Sequence, residues 1–295
     1  MQQPLLCSKN RVSSLIRLFT QRVGVAEGCA DQAMRSLVTK LSVPAKRRGP
    51  AAQLDEFLIK RRILETDVVS GLSSDGYIEP IGCTFRDGFR MVLKGGSAQT
   101  RSRFTIAHEL CHTFFYEIVP EVKFGSQEVD AEEERLCNLG AGELLIPTNS
   151  LKRRAKRHRV SVDSLEELAA AYVVSPEAML LRLRSLRLWN CELSFWRPAR
   201  RGFSLDRLVG GRRVNWVWPD DAPLQRAWGS NGKIAGRTYL ELRDSGGLQL
   251  RPVCFQLVRR GNSIMALWSA KPIDQEPRSL PLFENQGKIR ASVRQ

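Results

Sequence analysis

The segment from Arg103 to His112 constrains the fold and the chemistry of this chain more than any other segment does. It reads Arg-Phe-Thr-Ile-Ala-His-Glu-Leu-Cys-His and contains the pattern His108-Glu109-x-x-His112. Residues four apart on an α-helix lie one turn apart on the same face, so the two imidazoles can bind one Zn²⁺ ion. Glu109 then lies where the general base of a metalloprotease is expected. Because only 3 histidines occur in 295 residues and two fall here, a zinc site is favoured over a helix with two ordinary histidines.

The third ligand of such a site must come from another segment, because catalytic zinc usually has three protein ligands and a water. Residues 129–147 have a helical apolar pattern that Pro147 is expected to end. The acidic residues near the start of this segment are candidate ligands by type: Asp130, Glu132, Glu133 and Glu134. Acidic residues at a helix start are usually exposed and stabilised by the helix dipole, so spacing alone does not choose among them.

These two segments resemble the ImmA/IrrE family of zinc metallo-endopeptidases. The shared pattern is the motif above followed by Glu134-x-x-Cys137-Asn138 and Leu144-Leu145-Ile146-Pro147. The resemblance covers roughly residues 57–188 and is strongest in the two helices.

The resemblance implies that Glu134 is the third metal ligand, with His108 and His112. The chain departs from the family at Cys111, where the family often has Gly, and at Gly140, where an apolar aromatic residue is common. Both departures are expected to change packing around the site rather than a ligand, and Cys111 is expected to be small and buried on another helix face.

The activity implied by the resemblance is zinc-dependent peptide hydrolysis with one Zn²⁺ per chain and Glu109 as general base and acid. The expected substrate is a specific regulatory protein, a helix-turn-helix repressor whose cleavage derepresses genes of a stress response or a mobile element. The alternative is a DNA-binding transcriptional regulator on a peptidase-like scaffold with little or no protease activity. Tyr116 and His158 are candidates for stabilising the oxyanion by residue type only.

The charge of the chain is strongly positive, at +15. Basic clusters occur at Lys46–Arg48, Lys60–Arg62, Lys152–Arg159, Arg197–Arg201 and Arg212–Arg213. Such clusters favour acidic partners and non-specific contact with nucleic acid. Arginines on ordinary solvated faces explain the charge equally well, so the two interpretations stay open.

The cellular location expected from the sequence is the cytoplasm. Seven scattered cysteines without a C-x-x-C pair favour reduced thiols over a disulfide framework. The chain has no run of about 18 apolar residues, and its start lacks an apolar segment of secretory length, so no membrane association is expected. The sequence does not indicate an oligomeric state.

The predicted fold class is α+β, with a zincin-like peptidase domain. The predicted segments are a partly flexible helical arm (1–53), the peptidase domain (54–150), a helix-turn-helix-like segment (151–190), a β-rich domain (191–272) and a flexible tail (273–295). Within the peptidase domain, a helix over Leu54–Leu64 and strands over Gly76–Phe85 and Phe89–Lys94 are expected to precede the motif helix.

The helix-turn-helix-like segment is predicted from two short helices, 165–172 and 178–188, joined at Val173-Val174. Ser175 is a good N-cap and Pro176 a good first helical residue. Because Pro176 and Glu177 are poor groups to place against phosphates, a structural or protein-docking role is favoured over DNA reading.

The β-rich segment is predicted from strands with hairpin turns over 238–268. Some members of the resembled family carry a GAF-like sensor domain at this end, which makes a GAF-like domain an expectation here. No motif identifies a ligand for it. Four tryptophans in this part of the chain are expected to build its core: Trp196, Trp216, Trp218 and Trp228.

Overall fold

The computed structural model describes residues 8–26, 28–42, 51–119, 131–210, 215–217, 221–230, 232–244 and 247–269. The helices in these ranges are α1 (Ser8–Val23), α2 (Ala30–Ser42), α3 (Leu54–Lys60), α4 (Gln99–Ile118), α5 (Ala131–Leu145), α6 (Thr148–Ala155), α7 (Val162–Tyr172), α8 (Pro176–Ser185) and α9 (Ala222–Gly229). The strands are β1 (Ile63–Val69), β2 (Gly76–Pro80), β3 (Phe89–Lys94), β4 (Glu192–Pro198), β5 (Phe203–Val209), β6 (Asn215–Val217), β7 (Lys233–Asp244), β8 (Gly247–Arg260) and β9 (Ser263–Ser269). The predicted α+β class is confirmed.

A small three-stranded sheet precedes α4, in the order β1-β3-β2. Strand β3 pairs parallel with β1 and antiparallel with β2. The apolar side chains of β3 are buried, and α4 packs against this sheet. The sheet therefore fixes the helix that carries the motif.

Two predicted boundaries in this region are wrong. The helix expected over Leu54–Leu64 ends at Lys60, and Arg62 turns the chain with φ of 58° before β1 begins at Ile63. The β-branched residues that follow favour a strand over a helix. The strand expected over Gly76–Phe85 ends at Pro80, since Thr84 caps a 3₁₀ turn over Phe85–Asp87.

Helices α1 and α2 pack against α4 and α5 in the main hydrophobic core. Phe19 of α1 stacks on Phe115 of α4, with ring centroids 4.6 Å apart. Met34 of α2 is fully buried. The residues predicted as an N-terminal arm thus contribute two helices that support the motif helix and its neighbour.

The helix-turn-helix-like pair is present as α7 and α8. Ser161 and Ser175 cap the two helices, accepting hydrogen bonds from Ser164 N and Ala178 N, and Val173 makes the turn with φ of 54°. Helix α8 ends at Ser185, three residues earlier than predicted. Its inward face is fully buried at Met179, Leu180 and Leu183.

A six-stranded antiparallel sheet forms the C-terminal part, in the order β5-β4-β9-β8-β7-β6. Alternate residues of its strands face opposite sides, so Met265 and Leu267 join the main core while Ile264 and Trp268 join a second core with α9. Trp196 is buried in that second core, as expected, and Trp228 packs against it.

Several predictions fall on residues outside the described ranges. These are the flexible tail (273–295), the basic clusters Lys46–Arg48 and Arg212–Arg213, the candidate ligand Asp130, and Trp218. Within the described ranges, no helix combines the length and apolar character needed to cross a membrane.

Candidate metal centre

Helix α4 places His108, Glu109 and His112 on its last three turns. One face of this helix is buried in the core at Ala107, Leu110, Cys111, Phe114 and Phe115. The side chains of His108 and His112 are 13% and 12% exposed, so they lie at the border between this core and solvent. Cys111 is fully buried, as the sequence predicts.

The nitrogen and oxygen atoms of three side chains converge between α4 and α5. Nε2 of His108 lies 3.1 Å from Nε2 of His112 and 3.1 Å from Oε2 of Glu134. Nε2 of His112 lies 3.3 Å from Oε1 of Glu134. The structure thus brings together the two motif histidines and the carboxylate selected by the family resemblance.

These separations fit a tetrahedral zinc ion. Two ligand atoms about 2.0–2.1 Å from a tetrahedral zinc lie about 3.3–3.4 Å from each other. The three separations, 3.1, 3.1 and 3.3 Å, are close to that value, with Glu134 facing His108 through Oε2 and His112 through Oε1. Two imidazole nitrogens and one carboxylate are also the ligand types of many catalytic zinc sites.

The other ring nitrogen of each histidine is held by a side chain of α5. Nδ1 of His112 lies 2.7 Å from Oε1 of Glu133, and Nδ1 of His108 lies 3.1 Å from Oδ1 of Asn138. With a metal bound, each Nδ1–H would donate to its oxygen, which would leave the lone pair of each Nε2 for the metal. The sequence reasoning missed these two roles. Asn138 is one turn beyond Glu134 on α5, and that spacing was the available signal.

The charges at this centre favour a cation. Hydrogen bonds from His108 and His112 hold the pKa of Glu134 well below its usual range. Burial works to lower the pKa of His112, but hydrogen bonds with Cys137, Glu133 and Glu134 outweigh it and raise that pKa far above its ordinary value. A site that stabilises positive charge on an imidazole is suited to a metal ion in the same place.

Glu109 lies beside the two histidines and is only 7% exposed. Burial raises the pKa of its carboxyl, the nearby His112 and His108 oppose that rise, and the net shift is upward. A carboxylate with a raised pKa is a stronger base than an ordinary glutamate. Glu109 is thus poised for proton transfer near the centre.

A second group of ligand-type atoms shares one residue with this centre. His112, Glu133 and Cys137 also lie within 4.8 Å of one another. Cys137 is fully buried, and burial raises the pKa of its thiol to about 11, which favours the protonated form. Glu133 is already hydrogen-bonded to His112, so this group supports the first centre rather than competing with it.

The remaining sequence candidates lie elsewhere. Glu132 pairs with Arg135 on the exposed side of α5, as expected for a solvated helix start. Tyr116 is half-buried one turn beyond His112, with its ring edge-on to Phe89 at 5.0 Å. His158 lies after α6, 3.7 Å from Glu167, and is not brought to the centre.

Residues 78–184 match the Peptidase_M78 family model, described as an IrrE N-terminal-like domain. Residues 78–184 are therefore similar to the IrrE N-terminal-like domain, over 107 of the 295 residues of the chain. The name of the matched family indicates a metallopeptidase-like scaffold, and the matched range runs from β2 to α8. The family resemblance seen in the two motif segments is thereby confirmed.

Two further comparisons add little to this assignment. The comparison with curated proteins finds no match. A solved structure described as a Mycobacterium tuberculosis transcriptional regulator superposes with a TM-score of 0.46 and 16% sequence identity, over 88% of this chain and 81% of that chain.

Proposed function

We propose that this protein is a zinc-dependent endopeptidase, with one Zn²⁺ held by His108, His112 and Glu134. The observation that carries the proposal is the convergence of both Nε2 atoms and both Glu134 oxygens at separations of 3.1–3.3 Å. Glu133 and Asn138 support it, because they fix the histidine rings from the far side. When bound, zinc supplies a Lewis acid that polarises the scissile carbonyl and lowers the pKa of water.

Glu109 is the general base and acid of the proposed reaction. Its carboxylate accepts a proton from the attacking water and then delivers that proton to the nitrogen of the leaving amine. The burial that raises its pKa brings that pKa closer to neutral pH, where one carboxyl group can both accept a proton and release it.

The proposed substrate is a specific regulatory protein, a DNA-binding repressor of the helix-turn-helix kind. This part of the proposal rests on the family resemblance, since no described side chain selects a particular peptide. Cleavage of such a repressor would derepress genes of a stress response or a mobile element. The cytoplasm is the proposed location, and six free cysteines among the described residues support a reducing compartment.

A DNA-binding regulator on a peptidase-like scaffold is the competing function. The helix that would read bases in this alternative, α8, has few exposed positions. Glu177 at its start pairs with Arg207 of β5, at 2.9 Å, and Arg182 is buried against Glu143. A reading helix presents its N-terminal residues to the major groove, so these contacts favour the peptidase.

The substrate is found by comparing cells that produce the wild-type protein with cells that produce Glu109→Gln. We expect a new protein N-terminus, within a DNA-binding protein, only in the wild-type cells. Glu109→Gln is the matched control because it removes the base and keeps the metal ligands. Identical N-termini in both cell populations, together with tight and sequence-selective DNA binding by the purified protein, would favour the regulator.

A further inference from the structure

Helix α6 and the turn after it form the most basic short segment among the described residues. Residues 148–159 contain no acidic residue and six cationic ones: Lys152, Arg153, Arg154, Lys156, Arg157 and Arg159. Five of the six are exposed, all but Arg154, and four of these five lie on one side of the segment, opposite the buried Leu151 and Ala155. We call these four residues, Lys152, Arg153, Lys156 and Arg157, the α6 basic face.

No side chain of the α6 basic face has an ion pair or hydrogen bond within the described part of the chain. Several exposed cations elsewhere in the protein are paired with carboxylates: Arg90 with Asp67, Arg135 with Asp31 and Arg260 with Glu166. The acidic residues of the adjacent helix α7 are already engaged. Asp163 pairs with Lys233, Glu166 with Arg260, and Glu167 lies near His158. Within the described ranges, no carboxylate is therefore paired with the α6 basic face.

The backbone under the α6 basic face is firmly held. Thr148, the first residue of α6, donates from both its N–H and its hydroxyl to Glu143, at 2.8 and 2.7 Å. Ser150 is hydrogen-bonded to the hydroxyl of buried Tyr172 at 2.8 Å. A fixed helix presents its cations without a further cost in backbone ordering when an anion binds.

The helix dipole explains the presence of only some of these cations. Cations in the last turn of a helix are stabilised by about 0.3–1 kcal/mol each, and the effect fades beyond that turn. Lys156 and Arg157 follow the last helical residue, Ala155. The dipole therefore does not explain why four exposed cations lie on one side of this segment.

We propose that the α6 basic face binds the phosphate backbone of duplex DNA without sequence selectivity. Exposed cations on a fixed helix release the counterions of DNA when they meet its phosphates, which is the main source of non-specific affinity. Residues 148–159 contain no Phe, Tyr or Trp, so the segment lacks the aromatic side chains on which single-stranded bases stack. This inference does not depend on peptidase activity.

The test measures affinity for a short duplex of mixed sequence by fluorescence anisotropy across a range of salt concentrations. One variant replaces the four residues of the α6 basic face with Gln. The control variant replaces four exposed arginines of the C-terminal part with Gln: Arg200, Arg201, Arg226 and Arg237. Both variants reduce the formal charge from +15 to +11. Unchanged thermal unfolding and circular dichroism show that both variants are folded.

We expect the salt dependence, the slope of log K against log salt, to weaken by about 3–4 in the α6 variant, since each lost phosphate contact contributes about 0.9. The control variant should keep a slope close to that of the wild type, and Glu109→Gln should bind like the wild type. An unchanged slope in the α6 variant, or an equal loss in both variants, would overturn the proposal. So would tighter binding of a polyglutamate peptide than of the duplex, since the partner would then be an acidic protein.

Discussion

The Oε1 atom of Glu133 lies 2.7 Å from Nδ1 of His112, while the neighbouring residue on the helix, Glu134, faces Nε2 of the same ring. One turn of α5 therefore holds a single imidazole from both of its nitrogens. Adjacent residues of a helix project about 100° apart. Both glutamates can therefore reach the same ring only because the ring lies between their side chains. The arrangement gives the two glutamates different roles that their sequence positions do not reveal.

Replacing Glu133 with Ala is expected to weaken zinc affinity by about 10–100-fold, because His112 loses the acceptor that orients its ring. Glu133→Gln should lose less, since its amide oxygen can still accept from Nδ1–H. Competition with a chromophoric zinc chelator measures the affinity. Glu132→Ala is the control, because Glu132 is on the same turn and pairs with Arg135 instead. Equal zinc affinity in the Glu133 and Glu132 variants would contradict the role given to Glu133.

Replacing Gly140 with Ala is expected to destabilise the protein by about 1–3 kcal/mol, the usual cost of overpacking a core. A Cβ at this position would lie 2.6 Å from Sγ of Cys111 and 3.0 Å from Sδ of Met34. Urea unfolding measures the change. Gly142→Ala is the matched control on the same helix, since nothing lies within 4 Å of its Cβ, and we expect it to stabilise by about 0.5–1 kcal/mol.

The double variant Cys111→Ala/Gly140→Ala tests whether the sulfur of Cys111 is what excludes a Cβ at position 140. Removing the sulfur gives the new methyl group room, so the double variant should lose less stability than the two single losses added together. Simple additivity would show that Cys111 is not what excludes a side chain at position 140. The two departures from the family pattern would then be unrelated.

Replacing Glu143 with Gln is expected to lower stability at neutral pH by roughly 3 kcal/mol, because it leaves Arg182 buried without its counter-charge. Arg35 also pairs with this carboxylate, at 3.2 Å. The variant should unfold at a lower urea concentration than the wild type at pH 7. Glu167→Gln is the control, as its side chain is 72% exposed. A loss no larger than that of the control would contradict the buried ion pair.

The pH dependence of stability gives a second readout for Glu143. Burial works to raise the pKa of this carboxyl, but hydrogen bonds from Thr148 and the charge of Arg182 outweigh it, so the folded pKa is lowered. The resulting stability is present above the unfolded pKa of about 4.3 and is lost as pH falls through the folded pKa. Urea unfolding of Glu143→Gln should therefore show a shallower decline in acid than the wild type. Parallel curves would contradict the assignment.

The motif helix was predictable because its signal is local. His108 and His112 share a face by helical period alone, and a small sheet before this helix was predicted from strand alternation. Glu134 could not be chosen that way, since four acidic residues near one helix start offer the same chemistry. Its selection needed the resemblance to a family, and its distances to the histidines come only from the packing of α5 on α4.

Other features could not be predicted because they depend on tertiary contacts. The sequence around Arg62 carries no glycine to mark the positive φ that ends α3, so the predicted helix extends into the first two residues of β1, Ile63 and Leu64. Arg182 appears as an ordinary cation in the sequence, yet it is buried against Glu143 of α5, which lies 39 residues earlier in the chain. Likewise, the pairing of Asn138 with His108 joins residues 30 positions apart.

The zinc site of His108, His112 and Glu134 is tested by the metal content of the purified wild type beside Glu109→Gln and Glu134→Ala. We expect about one zinc ion per chain in the wild type and in Glu109→Gln, and loss of zinc in Glu134→Ala. Elemental analysis after dialysis gives the content, and circular dichroism shows that each variant is folded. Full retention of zinc by folded Glu134→Ala, or a wild type that binds no zinc when it is supplied, would show that these three residues do not form the site.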